Sequence, residues 1–458
     1  MEVLDSFISK IASIAWGLPL LIILIGGGIY LLVRIKFLPF LYLGHAIALL
    51  RGKYDDENDQ GELTHFQALT TALSATVGMG NIAGVAVAIT IGGPGAVFWM
   101  WVSAIIGMST KFFTATLSVM YRGKDDLGKL QGGPMYFITE GLGSRWKFLA
   151  VFFSVSGLIG ALPLFNVNQL KQALNDILLI PSGFYYGFKS DLIIGVIIAA
   201  ITAIVVLGGL SRVSNMATKL VPLMVVLYFG LVVTILITYF EEVPKYLSLI
   251  FTDAFSADFY KGDSFLGGVI GGIILLGIRR GAFSNEAGIG TAPMAHGATK
   301  TNEPIREGLV AMLGPAIDTL VICTLTALAI LVTGVWQTSE ANGVSLTAKA
   351  FEEGFKEVGK YLLLLCIFVF SISSLFSYSY YGSKCMSFLF GTKYKQYYLY
   401  VYIMSIILGA TTSLSLMINL IDTFFAFMAI PTMLATILLA PKVVKESKRY
   451  FKTLKDKS

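Results

Sequence analysis

The stretch Thr70-Thr71-Ala72-Leu73-Ser74-Ala75-Thr76-Val77-Gly78-Met79-Gly80-Asn81-Ile82-Ala83-Gly84 decides how this sequence folds. It lies within the run 63–110, which contains no Asp, Glu, Lys or Arg beyond Leu63 and, with its extension through Lys111 to Tyr121, has room for two bilayer crossings at about 20 apolar residues each. Gly78 and Gly80 fall in mid-span, where each weakens a helix by about 1 kcal/mol relative to Ala and leaves the backbone unshielded. In hydrocarbon such an interruption is tolerated only where it lines a cavity or is covered by protein. With Ser74 and Thr76 adjacent, the stretch reads as an interrupted helix that binds a ligand rather than a seam of small packing residues. The spacing from Gly78 to Gly84 imitates a dinucleotide fingerprint, but that motif needs a preceding strand in a soluble βαβ unit.

The rest of the chain supports a membrane reading. Of 458 residues, 55% are hydrophobic and 14% charged, against about 25% charged in soluble domains. An ordinary soluble enzyme is therefore excluded. Further uncharged runs at 14–33, 148–170, 192–211, 220–240, 319–339, 361–383, 396–421 and 423–441 each suffice for one span. A last segment, 264–299, is long enough but is broken by Arg279, Arg280 and Glu286. The expected fold is an all-α polytopic membrane protein with 11 transmembrane helices. The apolar stretch from Ile14 to Val33 is read as a retained helix rather than a signal peptide, and Cys323, Cys366 and Cys385 as reduced packing residues.

Setting aside the first helix (1–40), ten spans divide into five between 66 and 240 and five between 264 and 440, followed by a basic tail, 441–458. Five is odd, so the second block must cross in the opposite sense to the first, the arithmetic of an inverted repeat. Alternating sides collects 23 Lys and Arg on the side of the tail and 8 on the other. By the positive-inside rule the tail is cytoplasmic and the amino terminus outside, in a multi-pass protein of the cell membrane. The net charge of +6 thus reflects topology rather than nucleic-acid binding.

The first helix of the second block carries the matching fault: Gly267-Gly268, Gly271-Gly272, Gly277, then Arg279-Arg280-Gly281-Ala282-Phe283-Ser284-Asn285-Glu286-Ala287-Gly288-Ile289-Gly290. Interrupted helices at corresponding positions of two halves point to a transporter binding site. A channel would instead need a continuous polar pore, usually built by symmetric subunits. An intramembrane enzyme would need clustered ligands or nucleophiles, whereas His45, His65 and His296 fall in separate segments without an HExxH pattern.

Two further motifs carry a family resemblance. Gly92-Gly93-Pro94-Gly95-Ala96-Val97-Phe98-Trp99-Met100-Trp101, followed by Val102-Ser103-Ala104-Ile105-Ile106-Gly107, resembles the signature of the alanine or glycine:cation symporter family, the sodium:alanine symporters. Arg280 to Gly290 is similar to a second motif of that family, and the resemblance is nearly full-length. It implies a prokaryotic carrier with a leucine-transporter-type core, its interrupted helices first and sixth, coupling sodium entry to uptake of small amino acids such as alanine and glycine. Residues matching Thr76, Gly78 and Gly80 line the substrate site in the wider superfamily. The implied partners are a small amino-acid substrate and membrane lipid, with no nucleic acid, no catalytic residues and a co-transported sodium ion. A monomer is expected.

An amino-acid zwitterion needs donors for its carboxylate, acceptors for its ammonium and a wall for its side chain. Amides around Gly78 and Gly80, at a half-helix amino terminus, suit the carboxylate, and carbonyls near Gly277 and Ile278 suit the ammonium. Phe165, Asn166 and Gln169 are candidates on the third core helix, with Asn166 and Gln169 three apart and on one face. Phe165, Phe283 and Phe370 are the rings expected to crowd the pocket. Ser373 and Ser374, facing carbonyls near Ser74 and Val77 with Phe370 one turn earlier, resemble the superfamily's second sodium site, since hard cations prefer oxygen ligands; Asn81 matches a ligand of the first. Among intramembrane charges, Arg279 and Arg280 are read as gating or structural, with Arg280 pairing Glu286 or Asp318. Those two carboxylates are also the candidates if coupling is to protons, and Lys111 is expected to snorkel.

Overall fold

The computed structural model describes residues 2–56, 58–184, 187–255 and 272–456, so Gly267, Gly268 and Gly271 lie outside the described residues. The chain is almost wholly helical. In order, the elements are α1 (Phe7–Arg34), α2 (Leu38–Leu50), α3 (His65–Thr76) and α4 (Gly80–Gly92), then α5 (Gly95–Met120), α6 (Lys147–Gly160), α7 (Leu164–Leu174) and α8 (Phe188–Val206). They continue as α9 (Gly209–Thr238), α10 (Val243–Ala254), α11 (Ile273–Asn285), α12 (Ala292–His296) and α13 (Pro304–Val332), and end with α14 (Val344–Phe355), α15 (Glu357–Phe390), α16 (Lys395–Thr411) and α17 (Leu414–Asp456). The all-helical expectation needs one small amendment, an antiparallel pair of β1 (Gly123–Lys124) with β2 (Leu130–Gln131) in the loop after α5.

Eight helical stretches among the described residues are long and apolar enough to cross a bilayer, and α3 with α4 makes a ninth as one span bent by 53°. α6 and α7 belong to a single crossing, Ser144–Leu179. The two other stretches expected to cross are represented by α11 followed by α12 and by the 17-residue α16. The connections after α9 and before α15 carry the short helices α10 and α14.

Burial follows the sequence pattern. α5, α15 and the interrupted helices form the interior, whereas α8 and α9 expose Ile193, Val196, Ile197, Val226 and Phe229, the apolar surface a lipid-facing helix needs. The three cysteines are buried and unpaired with one another. The Gly92-Gly93-Pro94-Gly95 signature makes the turn into α5, whose first amide, Gly95 N, donates to Asp253 Oδ2 at 2.8 Å, so that a carboxylate from α10 caps the positive end of α5.

α11 packs along α5 through Gly277 and Gly281, one helical turn apart. A Cβ on Gly277 would meet the Ala96 carbonyl and lie 2.6 Å from Trp99 Cβ; one on Gly281 would lie 2.9 Å from Ser103 Cβ. The backbones approach too closely for a side chain, which is how helices associate where no hydrophobic effect separates lipid from protein.

Gly281→Leu should therefore destabilise the folded protein by about 1–3 kcal/mol through overpacking. Gly44→Ala in α2, where nothing lies within 4 Å of the added methyl, should leave stability unchanged or raise it by about 0.5–1 kcal/mol. Thermal unfolding in detergent, followed by loss of the monodisperse peak, separates the two.

Candidate functional site

The first interruption is built from local chemistry. Thr64 and Gln67 form a capping box that starts α3, and α3 stops at Val77, whose backbone is extended (φ −74°, ψ 93°). The side chain of Asn81 organises the gap between α3 and α4. Its Oδ1 accepts from Gly78 N at 2.9 Å, and its Nδ2 donates to Asp318 Oδ1 at 2.7 Å and to Ser284 Oγ at 3.2 Å. Two helix ends thus face one another across three residues. The last carbonyls of α3 and the first amides of α4 lack intrahelical partners, and the dipoles place negative potential at the former and positive at the latter.

The second interruption lies about ten residues beyond the position expected at Gly277 and Ile278. α11 runs unbroken through both, Ser103 Oγ donates to the Ile278 carbonyl at 3.4 Å, and neither residue reaches the cavity between the two interruptions. Gly277 serves close packing, and a glycine in a packed helix keeps its backbone bonds. The break is made by positive φ at Glu286 (53°), Gly288 (87°) and Gly290 (104°), after which α12 begins. Glu286 N still bonds Ala282 O at 2.9 Å, so the carbonyls left over are those of Phe283, Ser284 and Asn285. The Glu286 carboxylate, 1% exposed, accepts from Thr291 Oγ1 and Tyr378 OH.

That cavity, of about 20 Å³, is lined by Thr76, Gly78, Gly80, Phe165, Asn166, Phe283, Glu286 and Tyr378, with Phe425 and the α6–α7 turn at Leu162 and Pro163. Such a volume holds about one water. One wall is aromatic: Phe283 meets Phe165 edge to face at 5.6 Å and Phe425 at 5.8 Å. The opposite side presents the α4 amides and the Glu286 carboxylate. Gln169 does not share the cavity with Asn166; its Nε2 donates to Gln172 Oε1 at 3.4 Å. Phe370 does not crowd it either, because that ring packs on Tyr228 at 5.4 Å.

The residues expected around sodium converge where α3 ends against α15. Ser74 Oγ donates to the Ser373 carbonyl at 2.7 Å, and Ser373 and Ser374 hydroxyls donate to the Phe370 carbonyl at 2.9 and 3.0 Å. A methyl on Gly78 would lie 2.7 Å from Ser374 Oγ. With Val77 at the open end of α3, these oxygens form a group that suits a hard cation without a buried carboxylate.

The charges pair differently from expectation. Arg279, not Arg280, makes the intramembrane ion pair, with Asp422 of α17; Trp16 of α1 covers it, donating Nε1–H to the Asp422 carbonyl at 2.8 Å while the guanidinium lies 5.5 Å from its ring. Half-buried Arg280 bonds neither Glu286 nor Asp318 and feels the field of Asp422. Asp318 is satisfied by Asn81, Ser284 and Thr319, the two hydroxyl bonds each 2.7 Å. Lys111 does not snorkel: it is 2% exposed, beside Gly314, and its charge acts on both Glu286 and Asp318.

A second cluster escaped sequence reasoning. Buried Glu307 of α13 holds His65 at the start of α3 and His296 at the end of α12, the latter at 2.5 Å. Beside it, Arg122 donates to the carbonyls of Gln60, Gly297, Thr299 and Thr301, and Leu63 bridges Thr299 as a parallel pair. The tail-side ends of the two interrupted helices are thereby tied together, as Arg279 and Asp422 tie α11 to α17 at the other end. Three residues separated by up to 242 positions carry no spacing signal; two of the three histidines beside an interrupted helix were the available hint.

The profile of the sodium:alanine symporter family matches residues 1–458. The sodium/alanine symporter AgcS of Methanococcus maripaludis is 39% identical, with 97% of each chain covered, and the probable sodium/glutamine symporter GlnT of Bacillus subtilis is 32% identical over 98% of this chain and 91% of the relative. Among solved structures, MhsT in complex with L-phenylalanine superposes with a TM-score of 0.58 at 15% identity, covering 83% of this chain and 89% of that one, which shows a shared leucine-transporter-type fold. The two sequence motifs, the paired interruptions and these matches lead to one conclusion: the chain belongs to the sodium:alanine symporter family.

Proposed function

We propose that this membrane transporter is a sodium-coupled symporter of small neutral amino acids, alanine and glycine, working by alternating access in the cell membrane. The observation that carries the reading is the cavity between the interruptions, which offers one feature for each part of a zwitterion. The amides around Gly80, next to the Gly78 amide that Asn81 caps, receive the carboxylate, and Glu286 with the α11 carbonyls receives the ammonium. Asn166 supplies a further polar contact, and the rings of Phe165, Phe283 and Phe425 form a close apolar wall that favours a small side chain over a branched one. Sodium is held by carbonyls of Ser74, Val77 and Phe370 and hydroxyls of Ser373 and Ser374. The names of the relatives support the ion and the solute class. Eleven spans, one preceding two inverted sets of five, with the tail cytoplasmic, complete the proposed architecture.

The two sets of ties support a cycle of alternating access. The Arg122 and Glu307 clusters hold the tail side shut, and the Arg279–Asp422 pair with the aromatic wall holds the other side. A cycle breaks one set while the other persists, and bound solute and sodium bridge the helix ends that must move together.

Uptake of labelled alanine into proteoliposomes tests the coupling. An inward sodium gradient should drive it, an equal potassium gradient should not, and Ser373→Ala with Ser374→Ala should lower sodium-driven uptake about tenfold or more. Uptake driven by a proton gradient alone would keep the fold and move coupling to Glu286 or Asp318; no alanine uptake under any gradient would overturn the substrate. Glu286→Gln, which removes one charge-assisted contact worth about 1.5–3 kcal/mol, should raise the alanine KM by about tenfold or more while the purified protein stays monodisperse.

A further inference from the structure

A basic groove lies far from the transport site, where α1 leaves the membrane beside α17. α1 ends at Arg34, so this residue sits at the depth of the lipid headgroups. The chain then turns sharply through Lys36 and Phe37, both at positive φ (53° and 56°), and enters α2. The turn opposes about two turns of α17 across a cavity of about 530 Å³. Its charged lining is Arg34, Lys36, Lys445 and Lys448, and its floor is Ile35, Leu38, Pro441 and Val444.

The four cations are uncompensated. None is in an ion pair among the described residues, and the nearby carboxylates Glu303 and Glu446 are both engaged by Arg449. Four like charges around one space repel each other unless an anion enters. The flank is apolar. α2 is bolted to α17 by Tyr42 stacked on Phe451 at 4.1 Å and by His45 Nε2 and Tyr450 OH at 2.7 Å. α2 also leaves Leu41 79% and Ile47 46% exposed, and Phe37 just before it is 52% exposed. An apolar helix face flanked by basic residues lies in the membrane interface.

We propose that this groove is a binding site for an anionic phospholipid of the leaflet on the tail side. The phosphate sits among Arg34, Lys36, Lys445 and Lys448, and the acyl chains run down past Phe37, Leu41 and Ile47. Phosphate chemistry matches the cations, and the apolar floor and flank match a lipid rather than a soluble anion, which would leave them uncovered. The bound lipid joins the first helix to the last.

Native mass spectrometry of the full-length protein, purified in detergent with an equimolar mixture of phosphatidylglycerol and phosphatidylcholine, tests this. The wild type should retain phosphatidylglycerol over phosphatidylcholine by at least about tenfold. Arg34→Gln, Lys36→Gln, Lys445→Gln and Lys448→Gln together should remove the preference, and the exposed pair Lys445→Gln, Lys448→Gln alone should reduce it severalfold in a protein whose helix contacts are untouched. Lys124→Gln, Lys129→Gln and Lys393→Gln, which change tail-side charge elsewhere, should leave it intact. Retained preference in the fourfold variant, or equal loss in the control, would overturn the site. Stabilisation by inorganic phosphate that abolishes lipid retention at comparable concentration would overturn the lipid in favour of a soluble anion.

Discussion

The side chain of Asn81 is the contact on which the rest of this structure depends. Hydrocarbon offers no water to an open backbone, so a helix can be interrupted in mid-membrane only if something else satisfies the groups it releases. Asn81 does this for the first interruption, capping the Gly78 amide, and with its other end it reaches Asp318 and Ser284 beside the second. Each break is thus part of the cover of the other. The carboxylates that would be costly alone are satisfied by short neutral donors, Asp318 by Asn81, Ser284 and Thr319 and Glu286 by Thr291 and Tyr378.

Around that centre the protein is closed at both ends. Glu307 and Arg122 gather strands of chain on the tail side, and Arg279, Asp422 and Trp16 do so on the other. Buried charge pairs contribute little net stability but are costly to break singly, by about 3–5 kcal/mol when one partner is left unpaired. Ties of this kind suit the alternating access proposed for this chain. The space enclosed is small, and its surface is divided between an aromatic wall and a polar rim.

Much of this was legible in the sequence because the bilayer imposes simple rules. Long uncharged runs announced the spans, and Gly78 with Gly80 announced the first interruption, since two glycines in mid-span beside hydroxyl residues have few other uses. The second interruption was misplaced because glycine has two roles. Gly277 looked like a break and is a packing contact with Ala96 and Trp99, while the break begins at Glu286, a residue whose left-handed backbone has no composition signal. Long-range pairing was invisible for a similar reason. Asp422, near the start of a long apolar helix, is 1% exposed and pairs with Arg279, 143 positions away. Lys111 likewise lies inside, beside Gly314, where its charge and those of Glu286 and Asp318 act on one another. Asn166 and Gln169 share a helical face, but the α6–α7 turn directs only Asn166 into the cavity.

In this reading the solute occupies the space between the two interruptions, and sodium binds beside it, where α3 ends against α15. Asn166 lines that space, so Asn166→Cys, made with Cys323, Cys366 and Cys385 each replaced by Ala, supplies a single thiol whose modification by a small methanethiosulfonate reagent can be timed in proteoliposomes. Alanine should slow the reaction about tenfold in sodium and have no effect in potassium. A modification rate indifferent to alanine in both salts would contradict this reading.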